Sequence, residues 1–141
     1  MKGLKASTLG VLAVALAILA PVALAGPSTE TTSYTVAAGT VPGVATGFVL
    51  EPGRSVTITA TGTVCAGLAC VGPNGEPSWN TTVSSFGGFV APGAPAWGLV
   101  GRVGSGPWTQ IGSGPTTLTG SGELQFAVND DLFVDNSGSF T

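Results

Sequence analysis

Ser55-Val56-Thr57-Ile58-Thr59-Ala60-Thr61-Gly62 alternates without a break, with Val56, Ile58 and Ala60 on one face and Thr57, Thr59 and Thr61 on the other. A period of two is that of a strand with one face on a core and the other in water. Immediately upstream, Thr46-Gly47-Phe48-Val49-Leu50 reads as a second strand, and Glu51-Pro52-Gly53-Arg54 reads as the turn between the two. Proline presets φ at such a turn and glycine accepts a positive φ. The pair is therefore expected to form a β-hairpin.

The same pattern continues outward. Residues 99–103 and 107–111 read as two strands joined by Gly104-Ser105-Gly106, and residues 123–128 alternate again with Leu124, Phe126 and Val128 inward. No window after residue 25 shows a helical period. With 23 glycines and 10 prolines punctuating short strands, the chain is expected to be all-β, an antiparallel β-sandwich spanning residues 33–141. Residues 71–95 are loop-rich, and long loops on a rigid sandwich often carry binding residues. Asn80-Thr81-Thr82 matches a glycosylation sequon. Ser139-Phe140-Thr141 reads as the opening of a strand that the sequence interrupts, which favours a truncated C-terminus.

Residues 1–25 read as an export signal. Lys2 and Lys5 give a basic start, an apolar run follows, Pro21 breaks it, and Ala23-Leu24-Ala25 supplies a small-x-small cleavage pattern. The run is shorter than the ~20 residues that span a bilayer, so no membrane span is expected in the mature protein. Residues 26–32 form a polar leader. The expected location is secreted, periplasmic or extracellular.

Beyond the signal, two arginines, Arg54 and Arg102, stand against seven carboxylates, a formal charge of −5. A nucleic-acid binder needs a basic stripe to neutralise phosphates, and none exists here. Histidine is absent. Cys65 and Cys70 are the only cysteines, and an even, closely spaced pair in an exported chain reads as a disulfide. Zinc would require further thiolate or imidazole ligands, which the chain lacks.

Val128-Asn129-Asp130-Asp131-Leu132-Phe133-Val134-Asp135-Asn136 is the chemical exception in this charge-poor sequence. Three of the seven acids fall within six positions, beside two asparagines. Oxygen-only ligands gathered in a short loop suit Ca²⁺, which takes six to eight oxygens from carboxylates, amides and carbonyls. EF-hand spacing is absent. The competing reading is an acidic turn, since Asp and Asn favour turns in any case.

Three segments resemble the bacterial PA-IL-like (LecA-type) galactose-binding lectins: residues 50–60, Val71-Gly72-Pro73-Asn74-Gly75, and Val128-Asn129-Asp130 followed by Asn136-Ser137-Gly138-Ser139-Phe140. The resemblance implies a galactose-binding-domain-like jelly roll that holds a carbohydrate or glycoconjugate through Ca²⁺. It implies metal ligation by Asp130, Asp135 and Asn136, by a carbonyl of Val134 or Phe133, and by a carbonyl near Ala66. It places sugar contacts on Asp130 and Asp135, and on Trp79 and Thr82, which stand where the family carries histidine and glutamine. The loop is two residues shorter than in the founding lectin, and Asp135 replaces an amide. The altered sugar positions leave galactose specificity untransferred, and homo-oligomerisation stays open.

Two rival classes remain. An enzyme lacks support, because without histidine or a mature lysine a Ser or Cys nucleophile has no usual activator. A carboxylate pair could serve a glycosidase, yet Glu51 and Glu123 read as turn residues and the aspartates share one loop. A structural envelope or extracellular sandwich, with a stabilising ion or none, is the runner-up. For Trp79, Trp97 and Trp108 the plain alternative is packing, which wins for Trp108 in its strand pattern; Arg102 is expected only to cap or pair at the sheet surface.

Overall fold

A computed structural model describes residues 30–41 and 43–141. The expected export signal over residues 1–25 lies outside the described residues, as does most of the polar leader. The strands, in chain order, are β1 (Val36–Ala37), β2 (Val44–Leu50), β3 (Ser55–Ile58), β4 (Gly62–Ala66) and β5 (Ala69–Val71), then β6 (Leu99–Val103), β7 (Thr109–Gln110), β8 (Thr116–Thr119), β9 (Gly122–Val128) and β10 (Asn136–Phe140). One short 3-10 turn, Phe133–Asp135, precedes β10. Among the described residues no helix is long and apolar enough to cross a membrane.

The strands build an all-β antiparallel sandwich. One four-stranded sheet runs β1-β10-β4-β5, a second runs β2-β9-β6-β7, and β3 pairs with β8. Alternation supplies the core between them: Val36, Val64 and Phe140 from the first sheet meet Leu50, Leu99, Val103, Leu124, Phe126 and Val128 from the second. Ile58 and Leu118 of the β3–β8 pair close the same cluster. The inward set Leu124, Phe126 and Val128 stands as expected, and the 99–103 and 109–110 strands pair through Val100↔Gln110 and Gly101↔Thr109.

The first hairpin is corrected. The turn at residues 51–54 forms, with the Arg54 amide donating to the Glu51 carbonyl at 3.1 Å and Gly53 at φ +77°. Its two strands nevertheless part: β2 pairs with β9 and β3 with β8. Alternation tells a strand which face to bury and is silent about its neighbour. Within β2 the register slips between Ala45 and Val49. There side chains stand in for the ladder: Thr46 Oγ1 donates to the Leu124 carbonyl at 2.7 Å, and Glu123 Oε1 accepts from the Gly47 amide at 2.8 Å. Glu123 thus lies in β9, as the alternation over residues 123–128 predicts, and not in a turn.

The eight-residue alternation of the opening stretch also divides. Regular pairing of β3 stops at Ile58; Ala60 then donates to the Ser113 carbonyl, and Thr61 exchanges two backbone bonds with Thr141 before β4 begins at Gly62. Gly62 has φ +108°, and a Cβ there would collide with the Ser139 carbonyl. A glycine is what lets the chain cross from one sheet to the other this close to a neighbouring backbone. The expected strand opening at residues 139–141 is corrected as well. β10 begins at Asn136, ends at Phe140, and lies between β1 and β4.

Cys65 and Cys70 face each other across the β4–β5 hairpin and form the expected disulfide, with Cα atoms 4.0 Å apart. Phe140 is fully enclosed, at 0% exposure. Replacing it with alanine removes a ring that the sandwich cannot refill, so Phe140→Ala is expected to cost about 3–5 kcal/mol. Denaturant unfolding checks this; a loss below about 1 kcal/mol would contradict its central place in the core.

Candidate functional site

The site begins where β9 ends. Beyond Val128 the chain enters Asn129, whose side chain is buried and fully used. Its Oδ1 accepts from the Ala91 amide at 2.8 Å, and its Nδ2 donates to the carbonyls of Ala91, Ala94 and Pro95 at 3.0–3.1 Å. Its backbone N–H donates to the Gly98 carbonyl, and its own carbonyl accepts from Trp97 at 2.6 Å. These bonds fasten the long loop after β5 to the end of β9.

Asp130 follows, only 2% exposed. Its Oδ1 accepts from the Trp97 indole Nε1 at 3.2 Å and from the Asp131 amide at 2.8 Å. Burial is the main influence on the carboxyl and raises its pKa above the ordinary 3.8; the Asn136 side chain and the Asp131 and Leu132 amides pull the other way, and the Asp131 charge adds to the rise. Its other oxygen, Oδ2, is buried and receives no hydrogen bond of good geometry, the Asn136 side chain and the Leu132 amide only approaching the carboxyl.

Asn136 shows the same pattern. Its Nδ2 donates to the Ala38 carbonyl at 3.2 Å, while its Oδ1 is buried without a partner. A buried acceptor left unsatisfied costs roughly 1–3 kcal/mol, so two beside one another require a physical reason. Asp135, at the end of the 3-10 turn, is exposed. A Cβ placed on Gly67 would lie 3.5 Å from Asp135 Oδ2, and the Gly67 amide donates to the Asp135 carbonyl at 3.2 Å. Ala66 stands opposite Asn136 in the β4–β10 register. Val134 is 91% exposed, and the Phe133 carbonyl is taken by the Asn136 amide in closing the turn.

Asp130 and Asn136 thus adjoin, Ala66 stands across from Asn136 on β4, and Asp135 lies beside Gly67. Asp131 turns elsewhere, its carboxylate accepting from the Ser84 hydroxyl. Among the described residues no group of three or more His, Cys, Asp or Glu side chains converges as a metal site. Any oxygen shell here therefore relies on amide and backbone oxygens beside two carboxylates.

The two sugar positions in the loop fare differently. Trp79 is 55% exposed and packs on Trp97 with ring centres 5.1 Å apart, tilted 48°. Since Trp97 reaches Asp130 directly, an aromatic pair links Trp79 to the acidic loop. Thr82 is instead folded onto its own loop, both its amide and its hydroxyl donating to Asn80 Oδ1 at 3.0 and 2.7 Å. Sequence reasoning missed Trp97 and the clamp role of Asn129. Trp97 adopts a left-handed φ of +59°, a conformation that no flanking residue announces.

No protein-family model matches this chain, and no curated protein matches it. Among solved structures the chain is similar to the EclA N-terminal domain, a PllA-like lectin, with 26% identity and a TM-score of 0.55 over 76% of this chain and 88% of that one. The fold is accordingly lectin-like.

The Asp130 environment has a pH consequence. Its folded pKa lies above the unfolded value, so between the two the native state carries the additional proton. The associated stability is full below about 3.8 and is lost as pH rises through the higher folded value. In metal-free buffer, unfolding free energy is expected to fall across that interval. Asp130→Asn, which keeps an oxygen for the Trp97 indole, should flatten the slope. Denaturant melts at a series of pH values measure it; an unchanged slope would assign the titration to another group.

Proposed function

We propose that this chain is an exported carbohydrate-binding protein that holds a sugar, of galactose type in the family it resembles, through a Ca²⁺ at the 130–136 loop. The observation that carries the reading is the pair of buried, unpartnered oxygens, Asp130 Oδ2 and Asn136 Oδ1. A hard cation is the kind of partner that would satisfy both without needing a proton from either. The lectin-like fold supports the sugar half of the reading.

The residues fit the group. Asp130, Asp135 and Asn136 would supply side-chain oxygens, and the carbonyls of Val134 and Ala66 would complete the protein's share. Of the two carbonyls in the turn, that of Phe133 is already bonded to the Asn136 amide, which favours Val134. The bound cation would supply a Lewis-acidic centre for two neighbouring sugar hydroxyls. Asp130 and Asp135 would accept hydrogen bonds from those hydroxyls and so read their orientation. Trp97 fixes the Asp130 carboxylate through its indole N–H, and Trp79 offers an exposed π-face for the apolar side of a pyranose. Thr82, tied to Asn80, is left the weakest of the proposed sugar contacts.

Calorimetric titration of the protein with Ca²⁺, and then glycan-array or calorimetric binding with and without chelator, tests the reading. Ca²⁺ is expected to raise the melting temperature, because it binds the folded state alone, and sugar binding is expected to require it. Binding that survives chelation would sink the mechanism. A melting shift with no sugar bound would favour a structural role for the ion. Asp130→Asn should weaken Ca²⁺ affinity by at least about tenfold, the loss of one charged ligand contact.

A second substitution separates the two halves of the site. Trp79→Ala is expected to leave Ca²⁺ affinity unchanged while weakening the sugar by about two- to twelvefold, the range of one aromatic stacking contact. Equal sugar affinity in the variant would remove Trp79 from the binding surface.

A further inference from the structure

We propose that a cleft beside Arg102 is a separate ligand site that takes the carboxylate of an acidic sugar. The cleft is open to solvent, holds about 320 Å³ at the border of the β6–β7 hairpin and β8, and is lined by no residue of the 130–136 loop. That volume falls in the range of small-molecule sites, about 300–1,000 Å³. Its wall holds one of the two arginines of the mature chain, in a protein whose formal charge is otherwise strongly acidic.

Arg102 is positioned and not neutralised. Its Nε donates to Gln125 Oε1 at 2.9 Å, and its guanidinium carbon lies 4.5 Å from the centre of the Trp108 ring. Among the described residues no carboxylate pairs with it. Glu123, two residues from Gln125 on β9, has its Oε1 engaged by the Gly47 amide. With one edge held by an amide and one face over an indole, the guanidinium keeps its terminal nitrogens as donors. Their fixed fork matches the two oxygens of a planar carboxylate.

The remaining lining decides what carries that carboxylate. Pro107 and Leu118 give apolar wall, while Thr109, Thr117 and Thr119 bring hydroxyls. Thr109 makes only a long 3.5 Å bond to the Pro107 carbonyl, and Thr117 shares a 3.1 Å bond with Thr57. Their lone pairs remain available to accept from ligand hydroxyls. Hydroxyl acceptors interleaved with apolar wall suit a pyranose ring, and a single guanidinium suits one acidic group on it. No carboxylate lines the cleft to repel such a ligand.

The test uses the whole protein stripped of Ca²⁺ by a chelator that is then dialysed away, which keeps the C-terminal loop out of the readout and leaves no competing carboxylate. Sodium glucuronate, glucose and sodium sulfate are titrated in turn while the Trp108 indole and Arg102 Nε–H resonances are followed by NMR. Glucuronate is expected to shift both resonances saturably, and glucose to shift neither. Arg102→Gln should weaken glucuronate by at least about tenfold, as expected for a lost charged hydrogen-bonded contact. Arg102→Lys, which keeps the charge and loses the fork, should fall between. Thr119→Ala, at an exposed position, gives a variant with little risk to folding and should weaken glucuronate. Absence of a saturable shift, equal affinity in Arg102→Gln, or sulfate bound as tightly as glucuronate would each overturn the proposal. Because Ca²⁺ is absent throughout, none of these outcomes depends on the fate of the 130–136 loop.

Discussion

The Asn129 side chain holds the long loop between β5 and β6 on the sandwich, and the geometry around Asp130 depends on that attachment. A loop of this length carries many backbone groups that water would otherwise satisfy. One buried amide meets several of them at once, accepting from Ala91 and donating to three carbonyls. The backbone bonds of the same residue to Trp97 and Gly98 set where the loop rejoins the sheet. Trp97 can therefore be held at φ +59°, a conformation that costs a non-glycine residue about 1–3 kcal/mol and persists only where surroundings fix it.

Adjacent residues in this segment have opposite hydrogen-bond economies. Asn129 is buried and saturated, whereas Asp130 is buried and keeps one oxygen unpartnered. A chain selected for stability alone would not bring a second orphaned acceptor, Asn136 Oδ1, to the same place. The cost falls on the folded state, in keeping with the burial that pushes the Asp130 carboxyl upward. Strain of this kind is concentrated where a ligand would relieve it.

Much of the fold was legible in sequence because strand alternation is a local signal. Spacing alone points Val56, Ile58 and Ala60, and later Leu124, Phe126 and Val128, to the core, and the structure buries or half-buries each of them. Pairing was less legible. The Glu51–Arg54 turn forms where proline and glycine predict it, yet its strands join different partners, because hydrogen-bond partners across a sandwich are set by long-range packing. β4 and β5 were hidden inside a cysteine motif, and β10 was noticed only at its last residues. In the site, Asp130 and Asn136 announced themselves by composition. Trp97 did not, since its contact with Asp130 spans 33 positions and arises only when Asn129 docks the loop. Counting along the chain also gives no sign that Thr82 donates its amide and hydroxyl to Asn80 within its own loop.

The 130–136 segment is braced from two sides by unrelated means. On one side the Asn129 network and the Trp97 indole fix the direction of Asp130. On the other, the disulfide-closed β4–β5 hairpin presents Ala66 opposite Asn136 and donates the Gly67 amide to the Asp135 carbonyl. Between these braces the carboxylate of Asp135 remains exposed. Oxygens held in place before a ligand arrives lose little freedom on binding it, and that saving appears directly as affinity. A loop of two aspartates and an asparagine without such bracing would relax, turn its oxygens to water and lose the buried orphans. Here the sandwich denies it that relaxation, so the same packing that stabilises the fold keeps the loop's oxygens short of partners.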